Sequence, residues 1–313
     1  MQAIKRMWAA ILTVLVALAA GAGTAGAQTR ITLGYTGAAA FLPAFVAKEK
    51  GFFQKHGLDV TLQLIPVGST MPGALVSQSL QVATLTAPVL LLAADGGLDL
   101  GIASAASFQS KQRTTTGAVS RMALELKSPA DYRRKKVGVP GLNSVQHILF
   151  MKWLQNGGVK PNEVTYVEAA FPQMGDMLRG GSIDVAVMVE PFLSRVVQGG
   201  AGKLAVSYAP QVTERYLEAF YAMDKGFVRK NQNVVKEFKA AIAEATSWTQ
   251  SHEEEARAFM TQYLRLPKEV AVQIPLPEFS ADFGTDDVRR WIDLNKEFGL
   301  LHSDLKAEPL ILH

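Results

Sequence analysis

Cysteine is absent from the 313 residues, and that absence removes several chemistries at once. No disulfide framework, thiolate zinc site, iron–sulfur cluster or cysteine nucleophile can be built without it. Charge is scarce: charged residues make up 19% against 48% hydrophobic, which excludes a disordered chain of low hydropathy and high net charge. Histidine is limited to five, with no pair at metal-ligand spacing, so neither a metal site nor a cofactor is expected. The chain has no G-x-S-x-G elbow and no Walker loop. Lys and Arg outnumber Asp and Glu by only 32 to 28, without a basic stripe interleaved with aromatics, so nucleic acid is not an expected partner. One stretch alone approaches membrane-spanning length, which argues against a polytopic membrane protein. What remains is a globular chain with room for about two domains.

That one apolar stretch lies at the start. Lys5 and Arg6 precede an apolar run from Met7 to Ala20, and small residues lead to Ala25-Gly26-Ala27. A basic head, a short apolar run and an A-x-A site predict a cleavable secretory signal peptide over 1–27. Its removal takes two positive charges with it, so the formal +4 of the whole chain overstates the basicity of the exported protein. Without cysteine no lipid anchor can form at the cleavage site. The densest basic run, Arg133-Arg134-Lys135-Lys136, reads as the end of a helix that favours positive charge.

Beyond residue 27 apolar periodicity alternates between strand and helix. Strands are predicted at Ile31–Tyr35, Leu58–Ile65, Val82–Thr86 and Gly101–Ala105, with helices at Phe41–Lys50, Ser69–Ser79 and Pro88–Ala94. Ser128-Pro129-Ala130-Asp131 carries the residues of a helix start. The alternation resumes from Lys136 to Ser207. The last third is mainly helical, with Val234, Phe238, Ile242, Ala245 and Trp248 on one face, and further helices at Glu253–Leu264 and Asp286–Phe298. This order predicts an α/β protein with mostly parallel sheets flanked by helices.

An internal repeat sharpens the picture. Leu75, Gln81 and Pro88 correspond to Leu178, Asp184 and Pro191, each pair separated by 103 residues. The strands between them, Val82-Ala83-Thr84-Leu85 and Val185-Ala186-Val187-Met188, correspond too. That interval is too long for a solenoid period and fits two similar α/β lobes. The expected division is 28–117 and 218–313 for lobe 1, and 118–217 for lobe 2. Ligands of open α/β sheets bind beyond the carboxyl ends of the strands, and pockets favour domain interfaces. The loops Thr36–Phe41, Val67–Met71, Thr86–Pro88 and Ala106–Arg113 of lobe 1, and Gly141–His147, Ala169–Gln173 and Glu190–Phe192 of lobe 2, are therefore the candidate site.

The run Val46-Ala47-Lys48-Glu49-Lys50-Gly51-Phe52-Phe53, then His56-Gly57-Leu58-Asp59-Val60, resembles the N-terminal signature of periplasmic solute-binding proteins for nitrate, sulfonates, taurine and thiamine precursors. Lys136-Val137-Gly138-Val139-Pro140 and Gly181-Ser182-Ile183-Asp184 through Glu190-Pro191 extend the resemblance over nearly the whole exported chain. The resemblance implies a two-lobe periplasmic binding protein fold of type II with two crossover segments. It further implies a monomeric periplasmic receptor that closes around a small solute and docks on an ABC permease with its ATPase, without catalysis. An enzyme of the same fold acting on a thiamine- or menaquinone-precursor-like metabolite is the alternative, weakened for the cysteine-dependent type by the lack of cysteine. A sensor serving a membrane receptor shares the same binding chemistry. The chain departs from the family pattern at Gln78 and Gln81, where Gly and Asp are usual, and lacks a common Gly within 133–136.

Nine residues are the candidate ligand contacts. Asn143 and Ser144 stand where a helix begins after a strand, a place that suits an anion and equally a plain N-cap. Thr36 and Gly37 form the matching loop of lobe 1, where small residues let a ligand approach the backbone. Thr86 and Ala87 follow a strand, and Thr86 can meet the ligand or cap the next helix. His147 lies one turn into its helix, facing the ligand or packed away from it. Glu190 can accept from a ligand or support the hinge. Phe41 can stack on a ring or belong to the core, as can Phe108 and Phe192. Lys111 and Arg113 read as solvated loop charges in preference to ligand contacts. The expected ligand is a small organic solute: a sulfonate, a carboxylate or aromatic acid, a nitrate-like anion or a pyrimidine.

Overall fold

A computed structural model describes residues 28–313; the expected signal peptide over 1–27 lies outside the described residues. Eleven strands form two sheets. In chain order they are β1 (Thr29–Tyr35), β2 (Leu58–Leu64), β3 (Val82–Leu85), β4 (Leu100–Ser110), β5 (Thr116–Ser120), β6 (Lys136–Val139), β7 (Thr165–Glu168), β8 (Val185–Val189), β9 (Lys203–Val206), β10 (Arg215–Asp224) and β11 (Glu278–Phe279). The first sheet runs β11-β4-β10-β3-β1-β2 and the second β7-β6-β8-β5-β9. The α/β two-lobe architecture expected from the sequence is the one observed.

Each sheet is built on the same parallel triple. β1 pairs in parallel with β2 and β3, and β6 with β7 and β8. An antiparallel strand then adds to each triple, β10 beside β3 and β5 beside β8. Both sheets are therefore mixed and not mostly parallel as the sequence predicts, with four parallel strand pairings against five antiparallel ones among the described residues. The antiparallel strands arise from the two chain crossings: β4 ends at Ser110 in the first sheet and β5 opens the second, while β9 ends at Val206 and β10 returns to the first. A strand that enters by crossing over, without a helix to reverse it, arrives antiparallel.

The repeat has a physical basis in its turns. Gly181 closes the helix Phe171–Gly180 with φ +73°, and Asp184 Oδ2 accepts from the Lys136 amide at 2.9 Å. At the equivalent place Gln78 holds φ +61°, and Gln81 Oε1 accepts from the Thr32 amide at 2.8 Å. Gln81 Nε2 also donates to the Gln78 carbonyl at 2.7 Å. Glutamine thus reproduces the bond that Asp184 makes, at the cost of a left-handed residue with a side chain. Arg134, in the segment where a Gly is usual, likewise sits at φ +60°.

The structure differs from the sequence expectation in three further places. β10 was read into the helical third, because its apolar run lacks the alternation of a half-exposed strand; it is buried along nearly its whole length. β4 extends to Ser110 through Ala and Ser residues of low strand propensity. The basic run 133–136 follows a single 3₁₀ turn, Pro129–Tyr132, so no long helix dipole meets it; Arg133 instead pairs with Glu163 at 3.0 Å. Against the first sheet the helix Gln232–Ser251 lays Val234, Phe238, Ile242 and Ala245 on the core, with Phe238 stacked on Phe53 at 5.8 Å. Trp248 ends that face half-buried beneath Lys50 Nζ at 4.4 Å. Among the described residues no helix is long and apolar enough to cross a membrane.

Candidate functional site

The carboxyl ends of both parallel triples face a common cavity of about 780 Å³. From the first sheet it receives Thr36, Gly37 and Phe41 after β1, and Thr84 and Thr86 at the end of β3. From the second it receives Pro140, Ser144 and Gln146 after β6, Ala169 to Gln173 after β7, and Phe192 and Arg195 after β8. Leu64 and Pro66 to Ser69 at the end of β2, Glu218 and Ala219 of β10, and the segment Tyr263 to Arg265 line it as well. Two sheets with the same topology bring equivalent loops to one place, which is the geometry expected for α/β ligand sites. The walls touch at one edge: the Ala39 amide donates to the Glu190 carbonyl at 3.4 Å.

Thr36, Gly37, Phe41, Thr86 and Ser144 line this cavity, whereas Ala87, Asn143, His147 and Glu190 do not. Ala87 is buried at the start of the helix Ala87–Asp95. Ser144 both caps and lines: its Oγ accepts from the His147 amide at 3.3 Å. The Asn143 amide is likewise taken, donating to His147 Nδ1 at 2.9 Å. Two of the amides at this helix start therefore already have acceptors, which leaves the place less suited to an anion than the sequence suggests. Glu190 is buried and turned away, its carboxylate accepting from Ser194 Oγ at 2.8 Å and the Ser194 amide at 3.2 Å. Burial raises its pKa against those two bonds.

His147 packs edge-on against Tyr166 at 4.2 Å, and burial lowers its pKa to about 4. Because Nδ1 accepts, the proton of the neutral ring sits on Nε2, which is buried without a partner. The unfolded chain binds a proton near the ordinary histidine value while the folded one resists it. Stability contributed by neutral His147 is therefore present above about pH 6.5 and lost as pH falls toward about 4, on the order of 3 kcal/mol in full. His147→Asn, whose Oδ1 can replace Nδ1 as acceptor, is expected to remove this acid-dependent loss. Urea unfolding across the acidic range compares the two; parallel pH profiles would place the acid sensitivity elsewhere.

The sequence reading missed the charged groups of the cavity. Lys111 and Arg113 stand outside it, paired with Glu214 at 3.0 Å and Glu253 at 3.2 Å. Its lining cations are Arg195 and Arg265, both exposed residues. Glu218 is 4% exposed, and its Oε2 accepts from Ser107 Oγ at 3.1 Å. Burial lifts its pKa to about 7, with the donors Gln109 and Ser107 opposing. A lone carboxylate inside the apolar run Tyr216-Leu217-Glu218-Ala219-Phe220 was the available signal, since an acid in a buried strand needs a reason to be there. Phe192 lines the cavity stacked on Phe171 at 5.2 Å. Phe108 is core, under the Arg215 guanidinium at 3.5 Å.

Fold and cleft together define a two-lobe protein of the periplasmic binding class. The sequence profile of the NMT1-like family matches residues 24–264, and the chain belongs to that family. It is similar to the nitrate/nitrite binding protein NrtA of Nostoc sp., 24% identical over 238 residues, 70% of this chain and 54% of that protein. The chain thus spans about half the length of that relative. Among solved structures it resembles the periplasmic aliphatic sulphonate binding protein SsuA from Escherichia coli, with TM-score 0.74, 18% identity, and coverage of 91% of this chain and 97% of that one. The desulfurization enzyme DSZB shares the fold at TM-score 0.66 and 14% identity, covering 91% and 96% of the two chains. The fold is therefore shared between binding and catalysis.

Proposed function

We propose that this chain is the substrate-binding component of an ABC importer. It captures a small organic solute between its two lobes by hinge closure and presents the closed form to a permease driven by an ATPase. The observation that carries this reading is the cavity of about 780 Å³ lined from both sheets. A solute in it touches both walls, so it binds the closed state better than the open one and shifts the population accordingly. The crossings between β4 and β5 and between β9 and β10 supply the hinge and support a division near 117 and 218. The apolar start at 1–27 supports export to the periplasm, and the binding-protein names of the relatives agree with that reading. Thr36, Gly37, Phe41, Thr86 and Ser144 act as ligand contacts, while Ala87, Asn143, His147 and Glu190 support them from behind. An enzyme of this fold is the weaker reading, because the sequence relative NrtA and the structural neighbour SsuA are both named as binding proteins.

Mass spectrometry of solute carried through native purification, followed by calorimetry on stripped protein, tests the receptor reading; turnover of that solute would instead establish an enzyme. A sharper test uses Thr84, a residue of the cavity wall whose hydroxyl is buried and without a partner. An unmatched buried hydroxyl is a cost to the fold that a bound solute can relieve. Thr84→Val keeps the shape, so it is expected to stabilise the ligand-free protein by about 1 kcal/mol and to weaken solute binding about ten-fold. Thermal melts and calorimetry on the same variant measure both. Unchanged affinity would assign the hydroxyl to the fold alone.

A further inference from the structure

The named neighbours take nitrate or a sulfonate, yet the most deeply buried ionisable group in this cavity is a carboxyl. β10 runs antiparallel to β3 with Phe220 opposite Leu85, so Ala219 and Glu218 continue past the end of β3 beside Thr86. Glu218 keeps one carboxyl oxygen on Ser107 while lining the cavity. No ion pair reaches it among the described residues, and no cation contributes to its titration. The two lining arginines, 195 and 265, are exposed and so belong to the rim. The other buried polar residues of the lining, Thr84 and Gln146, carry no charge. An oxyanion placed there would face a like charge in a poorly solvated site, or would require Glu218 to take up a proton.

We infer that the cavity selects an organic solute whose buried end is a nitrogen donor, an amine, amidine or amide docked on the Glu218 carboxylate, and that it refuses oxyanions such as nitrate and sulfonates. This rests on the receptor reading and narrows it. The groups facing Glu218 are Ser107 and Gln109 from β4, Tyr216 on its own strand and Tyr208 beside it, with Glu168, Arg195, Tyr263 and Arg265 in the wall. Histidine is missing from the cavity lining among the described residues. Glu190, the other buried carboxyl, stays on Ser194 outside the lining.

The experiment is calorimetry of stripped protein with benzamidine, benzamide, benzoate, benzenesulfonate and nitrate. At about pH 8 benzamidine is expected to bind at least about ten-fold more tightly than benzoate or benzenesulfonate. Its affinity should rise about ten-fold between about pH 6 and about pH 8, as a carboxyl titrating near 7 ionises. Glu218→Gln, which keeps the shape, should flatten that rise and erase the preference. If the variant fails to fold, the ranking and pH profile of the unaltered protein still decide. Tighter binding of benzoate, benzenesulfonate or nitrate overturns the inference and leaves the receptor reading standing. A pH dependence that survives in Glu218→Gln overturns it too. If neither these probes nor a polar metabolite extract shifts the melting temperature, the inference and the receptor reading fall together.

Discussion

Phe150→Ala is expected to lower the unfolding free energy by about 4 kcal/mol, near the upper end for a large-to-small change in a core. Phe150 is fully buried in the helix Val145–Asn156. Its ring meets Tyr132 edge-on at 5.5 Å, Tyr208 at 5.2 Å and Trp153 at 5.6 Å. The size of the effect depends on whether those rings can move into the space left behind. Two are tethered: Tyr208 Oη donates to the Gln146 carbonyl at 3.2 Å, and Trp153 Nε1 to Gln211 Oε1 at 2.9 Å. A tethered ring cannot collapse inward without breaking its hydrogen bond, so the cavity stays open and the aromatic pairings are lost as well. Phe150→Leu should cost about 1 to 2 kcal/mol, because it refills most of the volume. The midpoint of urea unfolding at neutral pH measures both. A loss below about 1 kcal/mol for the alanine variant would show that the ring cluster repacks freely. The same helix begins at Ser144 and Gln146 in the cavity wall, so the variant should also bind solute more weakly in proportion to its looser wall.

What the sequence made legible is what depends on short-range pattern. β1, β2, β3 and β8 are short β-rich runs between turn residues, and their ends were placed within one or two residues. The repeat was legible because the Gln78–Gln81 and Gly181–Asp184 turns perform the same bonding. The loops that follow those strands hold Thr36, Gly37, Thr86 and Ser144, and a strand's end fixes where its next residue points. The parts that were not legible depend on distant segments meeting. β10 carries Glu218 into the cavity only because the chain crosses back and pairs with β3. Arg265 reaches the wall from beyond the long helices, and Arg195 by its phase on the short helix Phe192–Gln198. His147 and Glu190 sit beside lining residues in sequence, but each side chain has a partner behind the wall, His147 at the Asn143 amide and Glu190 at Ser194. Neighbouring in sequence placed them near the cavity, and local hydrogen bonding turned them away from it.

Gly37→Trp is expected to weaken solute binding on the order of a thousand-fold, or about 4 kcal/mol, while leaving the melting temperature of the ligand-free protein nearly unchanged. Gly37 lies in the loop after β1, with a φ that any residue adopts, so its glycine is not needed for backbone conformation. Its place against the opposite lobe is the reason for its size: a Cβ built there would lie 3.5 Å from Phe192 Cζ. Alanine would fit at ordinary contact distance, so Gly37→Ala should cost little. An indole cannot fit unless the lobes stand apart. In the open arrangement that the receptor reading requires, the lobes stand apart and the loop has room for it. The wedge therefore acts on the closed state alone, and a solute that must hold both walls loses the contacts of one. Phe192 is itself stacked on Phe171, so it cannot swing aside without giving up that pairing. Small-angle scattering with and without solute reads the closure directly: the unaltered protein should contract on binding and the tryptophan variant should not. Contraction of both proteins to the same radius, with affinity preserved, would show that the edge where Gly37 meets Phe192 is no part of the closing surface.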